Sequence, residues 1–124
     1  MTNALYIAAL LTVAIGVVHS WLGERYVLMR LFRRGNLPEL FGDQAFTRNT
    51  LRFAWHLTTI AWWGFAALLI LMANGPPAQA VLGLVIGCTF LAHFAVTLIA
   101  SRGKHPAWPV FLAIGVLSIY ASQG

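Results

Sequence analysis

Residues 53 to 73 read FAWHLTTIAWWGFAALLILMA. No charged side chain interrupts them, and about 20 helical residues suffice to cross the roughly 30 Å of a bilayer's hydrocarbon. This stretch is a membrane span, and it sets how the rest of the chain is read. Charge-free runs of similar kind extend over 4–22, 77–101 and 106–122. The last is the shortest and carries Pro106 and Pro109, which a first helical turn tolerates. The expected fold is all-α: one domain over 1–124, an integral membrane four-helix bundle running up and down.

Composition agrees with that reading. Hydrophobic residues make up 60% of the 124 and charged residues 9%, where a soluble domain carries about 25% charged. Mean hydropathy is +0.78. The basic pI near 10.4 does not point to nucleic acid, because the eight basic residues flank apolar spans, where lipid headgroups are the nearer anions. Cys88 is the single cysteine and pairs with nothing in the chain. The N-terminus lacks the basic region of a signal peptide.

Only one connection is long. After Gly23, the run ERYVLMRLFRR sets arginines 25, 30, 33 and 34 between Tyr26, Leu28, Met29, Leu31 and Phe32. That pattern predicts an extension of helix 1 or an amphipathic, interfacial helix between helices 1 and 2. Gly35-Asn36 stops it, Leu37-Pro38 starts the return, and Thr47 or Asn49 is placed to cap helix 2. ANGPPAQ, 73–79, makes a tight turn. SRGKHP, 101–106, links the last two spans.

Orientation follows from charge. Arg25, Arg30, Arg33, Arg34, Arg48 and Arg52 flank the first connection, and Arg102 and Lys104 lie in the third. The positive-inside rule then puts both termini on the non-cytoplasmic side of a bacterial inner membrane. With that orientation, His19 is about 7 Å inside the cytoplasmic edge, His56 about 6 Å and His93 about 13 Å. His105 stands at the edge itself. Each helix thus carries or adjoins one histidine, all in one leaflet.

Ionisable groups are costly in hydrocarbon, so their presence there points to function. Neutral imidazole ligates haem iron, zinc, copper and non-haem iron. Haem b asks for axial histidines, apolar walls and basic groups for its propionates. Helices 1 and 3 are diagonal in an up-down bundle, which favours His19 with His93 as axial pair. His56 serves as a further ligand or proton partner, with Arg25, Arg48 and Arg52 near the propionates. The rival is one zinc, copper or iron ion held by His19, His56, His93 and His105. Glu24, Glu39 and Asp43 are too few for a carboxylate-bridged di-iron centre. No span contains an acid, and no Ser-His-Asp constellation or phosphate loop is evident.

Each histidine also has a plainer role, bonding a neighbouring Ser20, Thr58, Thr59, Thr89 or Thr97 and holding two helices together. In overall plan the chain is similar to small b-type cytochromes with four membrane helices, which implies electron transfer. The expected function is a membrane redox protein, cytochrome b-like, exchanging electrons with a quinone or protein partner. The alternative is a non-catalytic membrane subunit, in a homo-oligomer or larger complex, whose basic loop meets anionic lipid.

Overall fold

The computed structural model describes residues 1–124. The chain is helical throughout, with no strand. Helix α1 runs continuously over Thr2–Arg33. It is α-helical over Thr2–Leu22, π-helical over Gly23–Leu28 and α-helical again over Met29–Arg33. Helix α2 covers Ala45–Ala73, α3 Gln79–Ser101 and α4 Ala107–Gln123. The first three are long and apolar enough to cross a membrane. Helix α4 has 17 residues and reaches about 26 Å.

Only 14 of the 124 residues are buried, while Leu10, Leu11, Phe65, Ile99 and Leu117 stand exposed. Water would penalise so continuous an apolar surface. Lipid solvates it, so the exposed side chains mark a membrane-embedded chain.

The helix ends differ from those the charges suggest. Helix α2 begins at Ala45 rather than at residue 53, so Arg48 and Arg52 lie on its first turns. Neither Thr47 nor Asn49 caps it. The Asp43 carboxylate accepts the Ala45 N–H at 2.8 Å, and the Thr47 hydroxyl donates to the Pro38 carbonyl at 2.7 Å. Gln44 closes the loop by donating to the Gly35 carbonyl at 2.8 Å and accepting from the Leu37 N–H at 3.3 Å.

The expected amphipathic segment is helical and belongs to α1 itself. Leu28 is buried, and Phe32 lies under the guanidinium groups of Arg48 and Arg52, 6.0 and 5.1 Å from its ring centroid. Its apolar side therefore packs against the first turns of α2. Arg25, Arg30, Arg33 and Arg34 remain exposed.

Extensive contacts join only consecutive helices: α1 with α2, α2 with α3, α3 with α4. Pairs such as Tyr6–Asn74, Gly16–Thr59 and Glu24–Arg52 rise along α1 as they descend along α2. Small residues permit the close approaches, as is usual between membrane helices. A Cβ on Gly16 would stand 2.6 Å from the Trp63 indole nitrogen. Gly87 and Gly115 bring the backbones of α3 and α4 together in the same way.

Candidate functional site

On α1, Ser20 and Glu24 lie one turn apart. On α2, Arg52, His56 and Thr59 recur at helical spacing, so each set forms a stripe on one face. The glycine contacts fix the register that sets these stripes against each other. Glu24 accepts two bonds from Arg52, Nη2 to Oε1 at 2.8 Å and Nε to Oε2 at 3.3 Å. His56 Nε2 lies 3.2 Å from the same Oε2, and His56 Nδ1 lies 2.9 Å from the Ser20 hydroxyl. Ser20 Oγ is 2.6 Å from Thr59 Oγ1, which donates to the Gly16 carbonyl at 3.1 Å. Five side chains from two helices make one unbroken polar chain.

Donor arithmetic gives this chain two complete states. With a doubly protonated His56, Nε2–H donates to Glu24 and Nδ1–H to Ser20. Ser20 then donates to Thr59, and Thr59 to the Gly16 carbonyl. Removing the Nδ1 proton reverses the hydroxyls: Thr59 donates to Ser20 and Ser20 to His56. Both ring nitrogens of His56 and the hydroxyls of Ser20 and Thr59 keep a partner in both states, and only the Gly16 carbonyl gives one up. Both arrangements use the same heavy-atom positions.

The side chains of Glu24, His56 and Arg52 are 32, 33 and 44% exposed, so the cluster is open on one side. His56 also lines a cleft of about 250 Å³ between α2 and α3, with Asn49, Arg52 and Phe53 on one wall and Val96 and Ala100 on the other. Ser20 and Glu24 do not line it. Arg52 and His56 are thus the members of the chain that face the cleft.

The π-helical segment starts beside this cluster. Gly23 is buried, and a Cβ there would overlap the Trp55 indole. Trp55 Nε1 donates to the His19 carbonyl at 3.0 Å, while His19 Nε2 donates to the Trp55 carbonyl at 3.2 Å. The two rings stack 4.6 Å apart, within 2° of parallel. His19 and Trp55 form a reciprocal clamp between α1 and α2. A π turn next to such an insertion is a common accompaniment of functional sites.

The histidines are not gathered into one centre. His19 lines a cleft with Trp55, Trp62 and Tyr26 on one flank of the α1–α2 pair. His93 is 8% exposed and lines a separate cleft between α2 and α3. His105 sits on Phe46 and Phe53, its Nδ1 accepting the Ala107 N–H at 3.2 Å, so it serves the first turn of α4. No group of three or more His, Cys, Asp or Glu is placed to hold a metal ion. Of the expected propionate partners, Arg52 is engaged by Glu24, Arg48 covers Phe32 and Arg25 lies over Tyr26. Helices α1 and α3 share no extensive contact, and His19 Nε2 is engaged by the Trp55 carbonyl.

Sequence reading found His56 and Arg52 but took Glu24 as lying outside the spans and saw no serine–histidine–acid arrangement. The arrangement exists with glutamate as its acid. Its signal is a Ser20-to-Glu24 interval of one turn facing an Arg52-to-His56 interval of one turn, which becomes visible only once the helices are paired. No family model matches the sequence, and searches of curated proteins and of solved structures return no significant match.

Proposed function

We propose that this chain is a small inner-membrane protein, its four helices running up and down, that exchanges protons for a membrane redox reaction. The hydrogen-bonded line Glu24–His56–Ser20–Thr59 carries the reading. His56 is the exchanging group, Glu24 is its counter-charge, Arg52 holds Glu24, and the two hydroxyls reorient as the proton arrives or leaves. The line ends on the Gly16 carbonyl, so it supports exchange at one face and not conduction across the membrane. Its arginine-rich end is the cytoplasmic one by the positive-inside rule. Electrons come from a partner chain. Exposed Arg25, Arg30, Arg33 and Arg34 suit anionic lipid at that face.

The reading is tested in native membranes as the difference between wild type and a strain lacking the chain, using quinone-linked proton uptake followed with a pH-indicator dye. His56→Gln and Glu24→Gln, both confirmed as inserted, are expected to abolish that difference. Full uptake by both variants overturns the proposal. An absorption spectrum of the purified protein tests haem b separately: a Soret band lost in both His19→Ala and His93→Ala would mark them as its axial pair.

Orientation is tested independently. Reporters fused at the C-terminus and at Pro76 are expected to read as non-cytoplasmic, and one at Gly35 as cytoplasmic. A cytoplasmic signal from the C-terminus places the polar line at the opposite face.

A further inference from the structure

His93 lies outside the polar line, yet it is the most deeply enclosed imidazole of the four. Its Nδ1 is 2.7 Å from the Thr89 carbonyl. A carbonyl only accepts, so Nδ1 carries the proton and, in the neutral ring, Nε2 is a bare acceptor. Nε2 has no hydrogen-bond partner in the protein. The ring is more than nine-tenths buried and lines a cleft of about 310 Å³ whose other walls include Ala61, Gly64, Phe65, Leu68 and Phe90. The rim residues Phe65 and Ile86 are exposed on the apolar surface, so the cleft opens to lipid. An acceptor left unmatched in apolar surroundings costs free energy that a hydroxyl donor would recover.

We infer that this cleft binds a membrane-dissolved hydroquinone ring, one phenolic O–H donating to His93 Nε2. Its volume falls at the lower end of the roughly 300–1,000 Å³ typical of small-molecule sites, which suits a single substituted ring whose tail stays in lipid. Phe65 and Phe90 supply aromatic walls, and Ala61 and Gly64 keep the floor low. A phenol is a stronger donor than an alkanol, and it suits a lone neutral acceptor better. The oxidised quinone has only carbonyl oxygens to offer, and these face the Nε2 lone pair without a proton between them. The site therefore selects the reduced form. This inference names a ligand for a second site and rests on none of the residues in the polar line, so binding is read independently of proton uptake.

The test uses the full chain in nanodiscs, titrated anaerobically by calorimetry with a short-tailed hydroquinone, its quinone and its di-O-methyl ether. The hydroquinone is expected to bind at least about tenfold tighter than either analogue, the worth of one buried hydrogen bond. His93→Phe should bind all three alike and weakly. Ala61→Phe, which fills the floor and keeps the imidazole, should bind none. Equal binding of hydroquinone and ether by the wild type overturns the inference, as does retained discrimination in His93→Phe. A Soret band in the purified protein that His93→Phe removes overturns it too, because iron would then own Nε2.

Discussion

Replacing Gly23 with valine will separate α1 from α2 at the polar cluster and lower the thermal midpoint of the purified protein by about 10 °C or more. A side chain at this position overlaps the Trp55 indole. Trp55 cannot swing aside freely, since its N–H donates to the His19 carbonyl and its ring is stacked on the His19 imidazole. Overpacking of this kind costs about 1–3 kcal/mol, occasionally more, and the lost indole bond adds about 1 kcal/mol. Because Glu24 follows Gly23 directly, the Glu24–His56 contact should be lost as well. Thermal unfolding with tryptophan fluorescence reads both consequences. An unchanged midpoint and an unchanged Trp55 environment would show that the α1–α2 register is set elsewhere.

Gly87→Val is expected to have a comparable effect on stability with a different local signature. A Cβ on Gly87 would stand 2.8 Å from the Gly115 carbonyl oxygen of α4. That oxygen belongs to a helix backbone and cannot rotate away, so the two helices must part. Helix α4 contributes Phe111, whose ring lies 5.5 Å from that of His93, and it has no extensive contact with α1. The variant should therefore lose stability and hydroquinone binding together while the Glu24–His56 pair survives. Limited proteolysis should show early release of α4. Tight packing of α4 in the variant, with an unchanged midpoint, would mean that the Gly87–Gly115 approach is not what joins the pair.

The sequence by itself determined the solvent and the number of helices. Runs such as 53–73 and 79–101 contain no charge, and a backbone placed in hydrocarbon must bond within its own helix. Their helical state therefore follows from composition alone. The ends were less legible. The expected start at residue 53 marks where hydrocarbon stops tolerating charge, whereas α2 begins at Ala45 because a helix can continue beyond the membrane edge. The stretch from Glu24 to Arg33 continues α1, the first of the two forms its pattern allowed.

Site membership was legible residue by residue, but partnership was not. Periodicity put Arg52 and His56 on one stripe of α2, and depth put His19, His56 and His93 in one leaflet. Depth is a single coordinate, and side chains at similar depth can still face different clefts. Helix pairing supplied the missing direction. Gly16 and Gly23 admit Trp63 and Trp55 at fixed heights, and that register sets Glu24 against Arg52 and Ser20 against His56. The same packing turns His19 onto Trp55 and leaves His93 between α2 and α3. Rotation about a helix axis costs nothing until a neighbour is present to be clashed with or bonded. Only the tertiary structure could therefore decide which histidine clamps two helices, which joins the polar line and which is left with a free nitrogen.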